Sequence, residues 1–449
     1  MALGNVNIKT VDGNLVNQTT VSNEKITGLL FDVSKHPTLF TAGYGLSNAG
    51  KLKLGDVAYI TSRKSAINDF GIIERVEPTS TDEENNVNFM HGIPYYHISE
   101  FFRMNGNIDG SAKLYVMFAD CSANWDAIEI LQRASGGTIN QLGIYTEQSL
   151  WTKTGVEGEK YSLNLVSTIN DKAIGLSEKH APLSIVLCAN PSNLGGNTTT
   201  DNQINLNLIP TAISTWKYVT AIFGQAASDN VRAMQLANTT HAPVGFVGAV
   251  MGCIARAGVQ ESIAWVQQFN LFSDKFQDIE LGFGDTNLNV GGTFVSTNAY
   301  ASISEVVLND LDEKGYVFPI KYAGRENGIY ISRDQTCSNG DFRTIARNRT
   351  IHKSRRNVRA ALLPYVNSPL LVNPSTGYLA ASKISSFKTL VGDILLTMKN
   401  AQEISGYAVT ISATQNVLLN DKLEISYAVV PIGTAKAIEV TEGLALTAS

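Results

Sequence analysis

A dense group of basic side chains in residues 341–359 offers the clearest binding chemistry in this sequence. After Asp341 the segment contains no acidic residue. Guanidinium and ammonium groups bind carboxylates and phosphates, so the segment is suited to an anionic partner. The seven basic residues are Arg343, Arg347, Arg349, Lys353, Arg355, Arg356 and Arg359.

The charge of the remaining chain shows that this basic group is a local feature. The 449 residues carry a net charge of −5, whereas residues 301–449 carry +3 and residues 1–300 carry −8. A basic surface on an acidic protein predicts contact with an acidic surface of another protein. Nucleic acid is a rival partner, but no recognised nucleic-acid module is present and no Phe, Tyr or Trp lies between the arginines. A helix whose charges are only solvated is the third interpretation.

Motifs for catalysis are weak. The sequence has no GxSxG elbow, P-loop, HExxH or strand-linked GxGxxG motif. His91 and His97 are the closest histidines, and Pro94 between them disfavours a shared helical face. Asp120 and Asp126 flank a strand end, where α/β enzymes place ligands, but they have no phosphate loop or base partner. We therefore expect no catalytic, metal or cofactor site. An α/β enzyme or ligand-binding protein with an unrecognised pocket is the alternative.

Composition is typical of a folded protein that other subunits cover. Hydrophobic residues make up 44% of the chain and charged residues 17%, below the usual share of about a quarter. The longest apolar run, 242–254, is shorter than the roughly 20 residues that a bilayer span needs. We therefore expect no direct membrane insertion.

Strand and helix patterns alternate through the middle of the chain. Apolar strands are predicted at Leu114–Phe118, Ile139–Tyr145 and Leu183–Leu187, with helices over 124–134 and 160–178 between them. Such βαβ units require parallel strands with right-handed crossovers. Residues 26–300 are therefore predicted to form an outer α/β region.

The C-terminal part, 301–449, is predicted to be an α+β core domain. An amphipathic helix over 385–404 precedes strands over 407–413, 422–430 and 436–441. The basic segment is expected to continue into a helix over 350–363.

Both ends of the chain carry short alternating patterns typical of added strands. Val6 and Ile8 share one face near the N-terminus, and Ile438 and Val440 share one near the C-terminus. Residues 1–25 are therefore predicted either to close a hairpin at Asp12-Gly13 or to form an arm that pairs with a neighbouring subunit.

Three segments resemble contractile tail sheath proteins of myovirus phages and phage-like injection systems. LGDVAYITSRKSAINDFG (54–71) is similar to the opening motif of that family, and YYHISEFFRMNGNIDGSAKLYVM (95–117) is similar to its second signature. In the third segment, 315–362, Phe342, Ile345 and Arg349 fill the family pattern before a helix. The helix and strands over 385–440 follow in the family's order.

This resemblance implies a structural subunit rather than an enzyme. Sheath subunits stack as six-fold rings around an inner tube and contract to drive that tube through a target envelope. The implied fold is a multi-domain α/β protein with a mixed, partly parallel sheet flanked by helices and with strand arms at both ends. The implied partners are other copies of the chain, the tube protein, and baseplate and terminator proteins, in a virion tail or phage-like particle assembled in the bacterial cytoplasm.

The resemblance also suggests roles for the basic group. Arg349 would be an internal anchor that pairs with a carboxylate such as Asp341. The other six, Arg343, Arg347, Lys353, Arg355, Arg356 and Arg359, would face the tube or an adjacent subunit. Val6, Ile8, Ile438 and Val440 would lie in inter-subunit strands.

Overall fold

A computed structural model describes residues 24–36, 52–74, 92–106, 113–153, 161–190, 206, 209–237, 242–281, 300–440 and 442. The strands are β1 (Ile26–Asp32), β2 (Val57–Ile60), β3 (Lys113–Ala119), β4 (Gln141–Ser149), β5 (Thr152–Lys153), β6 (Tyr161–Ser162), β7 (Ser184–Asn190), β8 (Thr215–Trp216), β9 (Val219–Ile222), β10 (Gln225–Ala226), β11 (Ile279–Glu280), β12 (Pro319–Ile320), β13 (Tyr330–Ile331), β14 (Cys337–Ser338), β15 (Ile404–Thr410) and β16 (Ser426–Pro431). The α-helices are α1 (Arg63–Asn68), α2 (Ile93–Asn105), α3 (Ala127–Ala134), α4 (Asn164–Glu178), α5 (Asp229–Ala237), α6 (Val247–Arg256), α7 (Glu305–Glu313), α8 (Ile345–Leu362), α9 (Ala381–Asn400) and α10 (Val417–Asn420).

The main sheet has six strands in the order β2-β3-β1-β4-β7-β9. Five of them run parallel, and only the edge strand β2 is antiparallel to its neighbour β3. The predicted strands in β3, β4 and β7 are confirmed, as are their parallel direction and the mixed α/β class. The sequence pattern did not predict that β1 lies between β3 and β4.

Helices cover this sheet, whose central strands are largely apolar and almost completely buried. All seven residues of β1 are buried, as expected for a parallel strand covered on both faces. Helix α6 packs against β1, β4 and β7, while α3 packs against β1 and β3, and α4 packs against β7 and β9. Helix α2 packs mainly on α6.

Two glycines allow α2 and α6 to approach closely. A Cβ atom at Gly248 would lie 2.1 Å from the His97 carbonyl oxygen, and one at Gly252 would lie 2.6 Å from the Phe101 carbonyl oxygen. Neither position tolerates a side chain, because the obstructing atoms belong to the backbone. His97 Nε2 lies 2.9 Å from the Val244 carbonyl oxygen, and the Gly248 N–H donates to His97 Nδ1 at 3.3 Å.

A smaller α+β layer follows the main body. Helices α8 and α9 pack against each other and against the antiparallel β15–β16 hairpin, with Leu395, Met398 and Val429 among the buried residues. The larger core extends further along the chain than residue 301, since Leu311, Ile331 and Ile345 belong to it. The packing therefore changes from one core to the other near the start of α8.

Candidate subunit interface

The start of α8 is fixed by two acceptors. The Thr344 hydroxyl accepts the Arg347 N–H at 3.2 Å, which caps the helix. The Asp334 carboxylate accepts the N–H groups of Ile345 and Ala346 at 3.1 and 3.2 Å. Asp334 thus supplies the negative charge that the first turn of α8 lacks in its own sequence.

Arg349 lies inside the protein, 2% exposed. Its guanidinium donates to the carbonyl oxygens of Gly258 and Ala257 at 2.8 and 3.0 Å. The expected pairing with Asp341 is wrong, because Arg349 points into the body whereas Asp341 is exposed. Burial lowers the pKa of Arg349, and the nearby carboxylates Glu24 and Asp334 act against that shift.

Three further basic residues that were expected to face a partner bond within the chain. Arg355 is buried and donates to the Ser177 carbonyl oxygen at 2.6 Å. Arg356 forms an ion pair with Glu24 and also donates to the Pro182 carbonyl oxygen at 3.2 Å. Lys353 forms an ion pair with Glu403. In one subunit, these three basic groups are therefore bonded to the chain itself.

The remaining basic residues lie nearer the surface. Arg343 is exposed, and Arg347 and Arg359 are half-buried. Arg347 Nη1 donates to the Asp341 carbonyl oxygen at 3.4 Å. Of the predicted set, Arg343 is the residue most accessible to a partner.

Helix α8 therefore joins the two cores. It contacts β7 on the side of the main sheet, and α9 and β16 on the side of the smaller layer. His352 is buried on it beside the Tyr218 ring, at 5.3 Å between centroids. Burial and the neighbouring Arg356 and Arg355 charges hold the pKa of His352 well below its ordinary value, so this histidine is neutral. Its apolar residues are divided in the same way, with Ile345 in the larger core and Val358 in the smaller layer.

The β15–β16 hairpin presents strand edges. In the described part of the chain these two strands pair only with each other. An isolated two-stranded sheet is marginally stable, and its edges offer unpaired N–H and C=O groups to a further strand. The hairpin therefore has the edge geometry to which a further strand can be added.

The segment after the hairpin supplies exposed apolar side chains. Ile438 and Val440 are 85% and 82% exposed, and residues 436–440 form no strand within the described part of this chain. The strand predicted there has no partner strand in the described residues of one subunit. Val6 and Ile8, the predicted counterparts near the N-terminus, lie outside the described residues.

The residues considered for catalysis or metal binding have structural contacts. Burial lowers the pKa of His97 to about 3, so its neutral ring serves packing between α2 and α6. Asp120 accepts the Ser122 N–H at 2.9 Å, and that serine lowers its pKa. Asp126 pairs with Lys172, and His91 lies outside the described residues. Among the residues with described positions, no three His, Cys, Asp or Glu side chains are grouped to hold a metal ion.

Within that same part of the chain, no helix is long and apolar enough to cross a membrane.

Solved structures with the same fold are contractile sheath and baseplate proteins. The helical sheath of the anti-feeding prophage in its contracted state is 13% identical, with a TM-score of 0.55 over 99% of each chain. The sheath complex of the PVC extracellular contractile injection system, also contracted, is 10% identical, with a TM-score of 0.54 over 99% of this chain and 98% of the other. A chain from the six-fold symmetrised anti-feeding prophage baseplate is 12% identical, with a TM-score of 0.53 over 99% and 100%.

Family models agree with the division seen in the packing. The model of the DUF2586 N-terminal domain matches residues 114–335, and the model of the DUF2586 C-terminal domain matches residues 341–449. No curated protein sequence matches the chain. The chain belongs to the DUF2586 family, and its fold is that of contractile tail sheath proteins.

Proposed function

We propose that this chain is the structural subunit of a contractile tail sheath. Copies would stack as six-fold rings around an inner tube and would shorten together to drive that tube through a target envelope. Baseplate and terminator proteins would lie at the two ends of the stack in a phage tail or phage-like particle. The proposal does not assign catalysis to any residue.

The observation that carries the proposal is a fold match along almost the entire chain. It is combined with a β15–β16 hairpin that pairs with no third strand in the described part of the chain. The match to a helical sheath covers 99% of both chains, so it is not confined to a common α/β core. The β15–β16 edges and the exposed Ile438 and Val440 are complementary halves of a strand-addition contact, one on the receiving subunit and one on the donating subunit. The residue 1–25 arm, with Val6 and Ile8, is the proposed second donor.

The contact with the tube is proposed to use basic residues that remain exposed. Arg343 retains this role from the sequence analysis. Lys388 and Lys399 join it, because α9 buries Val391 and Leu395 against the hairpin and leaves these two lysines exposed. Exposed ion pairs contribute about 0–1 kcal/mol each. Repeated around a ring, such pairs would align the sheath on an acidic tube and still permit sliding.

Electron microscopy of the full-length chain co-expressed with its tube and baseplate partners tests this function. The expected result is tubes surrounded by a helical sheath with six-fold symmetry. Size-exclusion chromatography of the chain alone should give monomers or very long polymers. A small closed oligomer with bare tubes in the co-expression sample would contradict the proposal.

A further inference from the structure

The C-terminal segment crosses from the smaller core to the larger one after β16. Pro431 ends β16 opposite Ile404. Ile432 and Thr434 then line a small cleft with Thr344 and Arg347 at the start of α8. The next contact is an ion pair between Lys436 and Asp312 on α7. The segment thus leaves one core and is attached to an element of the other just before Ile438 and Val440.

Asp312 is held in position for this contact by Arg333. The Arg333 Nε atom lies 3.3 Å from an Asp312 carboxylate oxygen, and Arg333 also donates to the Asp312 backbone carbonyl oxygen. The Asp312 side chain is only 16% exposed, whereas that of Lys436 is 61% exposed. Leu311, adjacent to Asp312, is fully buried in the larger core. The acceptor is therefore fixed to the body, and Lys436 is the group that can leave.

The strength of this contact differs from that of the ion pair at the other end of the chain. Arg356 and Glu24, which lies two residues before β1, are 15% and 10% exposed in their side chains. The exposed Lys436 ammonium gains little from its pair, which salt screens. The start of β1 is thus firmly attached, and the C-terminal segment is attached by a contact that is readily released.

We propose that Asp312, positioned by Arg333, is a docking point for Lys436 that sets the direction in which Ile438 and Val440 leave the subunit. The partner segment belongs to the same chain, residues 432–436. This inference depends on the proposed function only in that Ile438 and Val440 are the side chains offered to a neighbouring sheet. Docking would present them in one orientation, and release would let the segment follow a neighbour that moves.

Distance measurement between two spin labels on the full chain tests the docking. The four cysteines are buried, so introduced cysteines at Ala437 and at Ile130, both exposed, can be labelled selectively. Pulsed electron paramagnetic resonance of the labelled parent should give a narrow component from docked segments beside a broad component from released ones. Lys436→Glu should lose the narrow component, and Lys436→Arg should retain it. Asp312→Asn should lose it as well, which tests the contact from its other side.

The matched control is Lys422→Glu, which reverses an equally exposed lysine in the Lys422–Glu424 pair of the hairpin connection. It should leave the distribution unchanged. Equal widths in the parent and in Lys436→Glu would overturn the docking, whatever the chain assembles into. Conversely, the expected label result in a chain that forms no sheath would refute the proposed function and leave the docking in place.

Discussion

Arg356 Nη2 lies 2.5 Å from a Glu24 carboxylate oxygen, although the two residues are 332 positions apart in the sequence. Glu24 lies two residues before β1, and Arg356 lies on the helix that joins the two cores. The Glu24 carbonyl oxygen also accepts the Gln141 side-chain amide at 2.8 Å. The beginning of the main sheet is therefore attached both to its neighbouring strand β4 and to the C-terminal layer.

Arg356→Gln should destabilise the monomer. The substitution leaves the nearly buried Glu24 carboxylate without its cation, which costs about 1–3 kcal/mol or more. Equilibrium denaturation in urea measures this as a lower midpoint. Lys422→Gln, in the exposed Lys422–Glu424 pair, is the control and should leave the midpoint unchanged. Equal midpoints for Arg356→Gln and the parent would show that the pair contributes nothing to folding.

Asp334 should make stability depend on pH between about 4 and 6. Burial raises the pKa of Asp334 to about 6 in the folded protein, above its ordinary value of 3.8. The folded state therefore binds this proton more tightly than the unfolded state. The resulting stability is fully present below the unfolded pKa and is lost as pH rises through the folded pKa.

Denaturation of the parent and of Asp334→Asn across pH 4–7 isolates this effect. The stability difference between the two proteins should shift against the parent as pH rises through that window, since Asn does not titrate. A difference that stays constant with pH would contradict the raised pKa.

Gly248→Ala should severely destabilise the fold. Its Cβ would lie 2.1 Å from the backbone carbonyl oxygen of His97, so α2 and α6 would have to separate. We expect a loss of more than about 3 kcal/mol, at the upper end of single-substitution effects. Gly392→Ala in α9 is the matched control, because its Cβ would meet no atom within 4 Å. That change should stabilise the helix by about 0.5–1 kcal/mol. Thermal unfolding of both variants measures these effects. A melting temperature of Gly248→Ala equal to that of the parent would contradict the close approach of α2 and α6.

Ile438→Asp combined with Val440→Asp should abolish polymerisation without affecting the monomer. Both side chains are exposed in one subunit, so the monomer's melting temperature should not change. A charged strand would no longer add to a neighbour's sheet, since its apolar face would be lost. Glu439→Gln, between the two, is the control and should assemble normally. Sheathed tubes formed by the double variant would exclude this strand from the contact.

Lys388→Glu combined with Lys399→Glu should weaken binding to the tube. The monomer should stay folded with a slightly lower melting temperature, because both side chains are exposed but Lys399 lies in the last turn of α9, 5.9 Å from the Tyr407 ring centroid. Co-sedimentation with purified tubes measures the effect, which should diminish at high salt. Lys53→Glu with Lys64→Glu, exposed near β2 and on α1, gives the same change in net charge elsewhere. Equal binding by the two double variants would show that the face of α9 has no special role.

The parts of the fold that depend on local pattern were predictable. The apolar runs of β3, β4 and β7 and the helices between them identified a parallel sheet. The buried face of α9, with Phe387, Val391 and Met398, follows from helical spacing alone. Such signals need only neighbours within one or two turns.

The placement of the basic residues was not predictable from local pattern. A high density of charge indicated a surface, yet Arg355 bonds to Ser177, 178 positions away, and Arg356 bonds to Glu24. Nothing in the spacing of 341–359 identifies partners at that distance. The same helix also buries Asn348, Ser354 and Asn357, whose polar side chains would by type be expected at the surface.

The two-stranded hairpin has a thermodynamic consequence for the particle. If a neighbour's strand completes this sheet, part of the free energy that holds β15 and β16 on α9 comes from outside the subunit. Mass action then makes the melting temperature of the smaller core rise with protein concentration, while that of the larger core does not. In such a sheath, each ring would stabilise the smaller core of the subunits in the next ring.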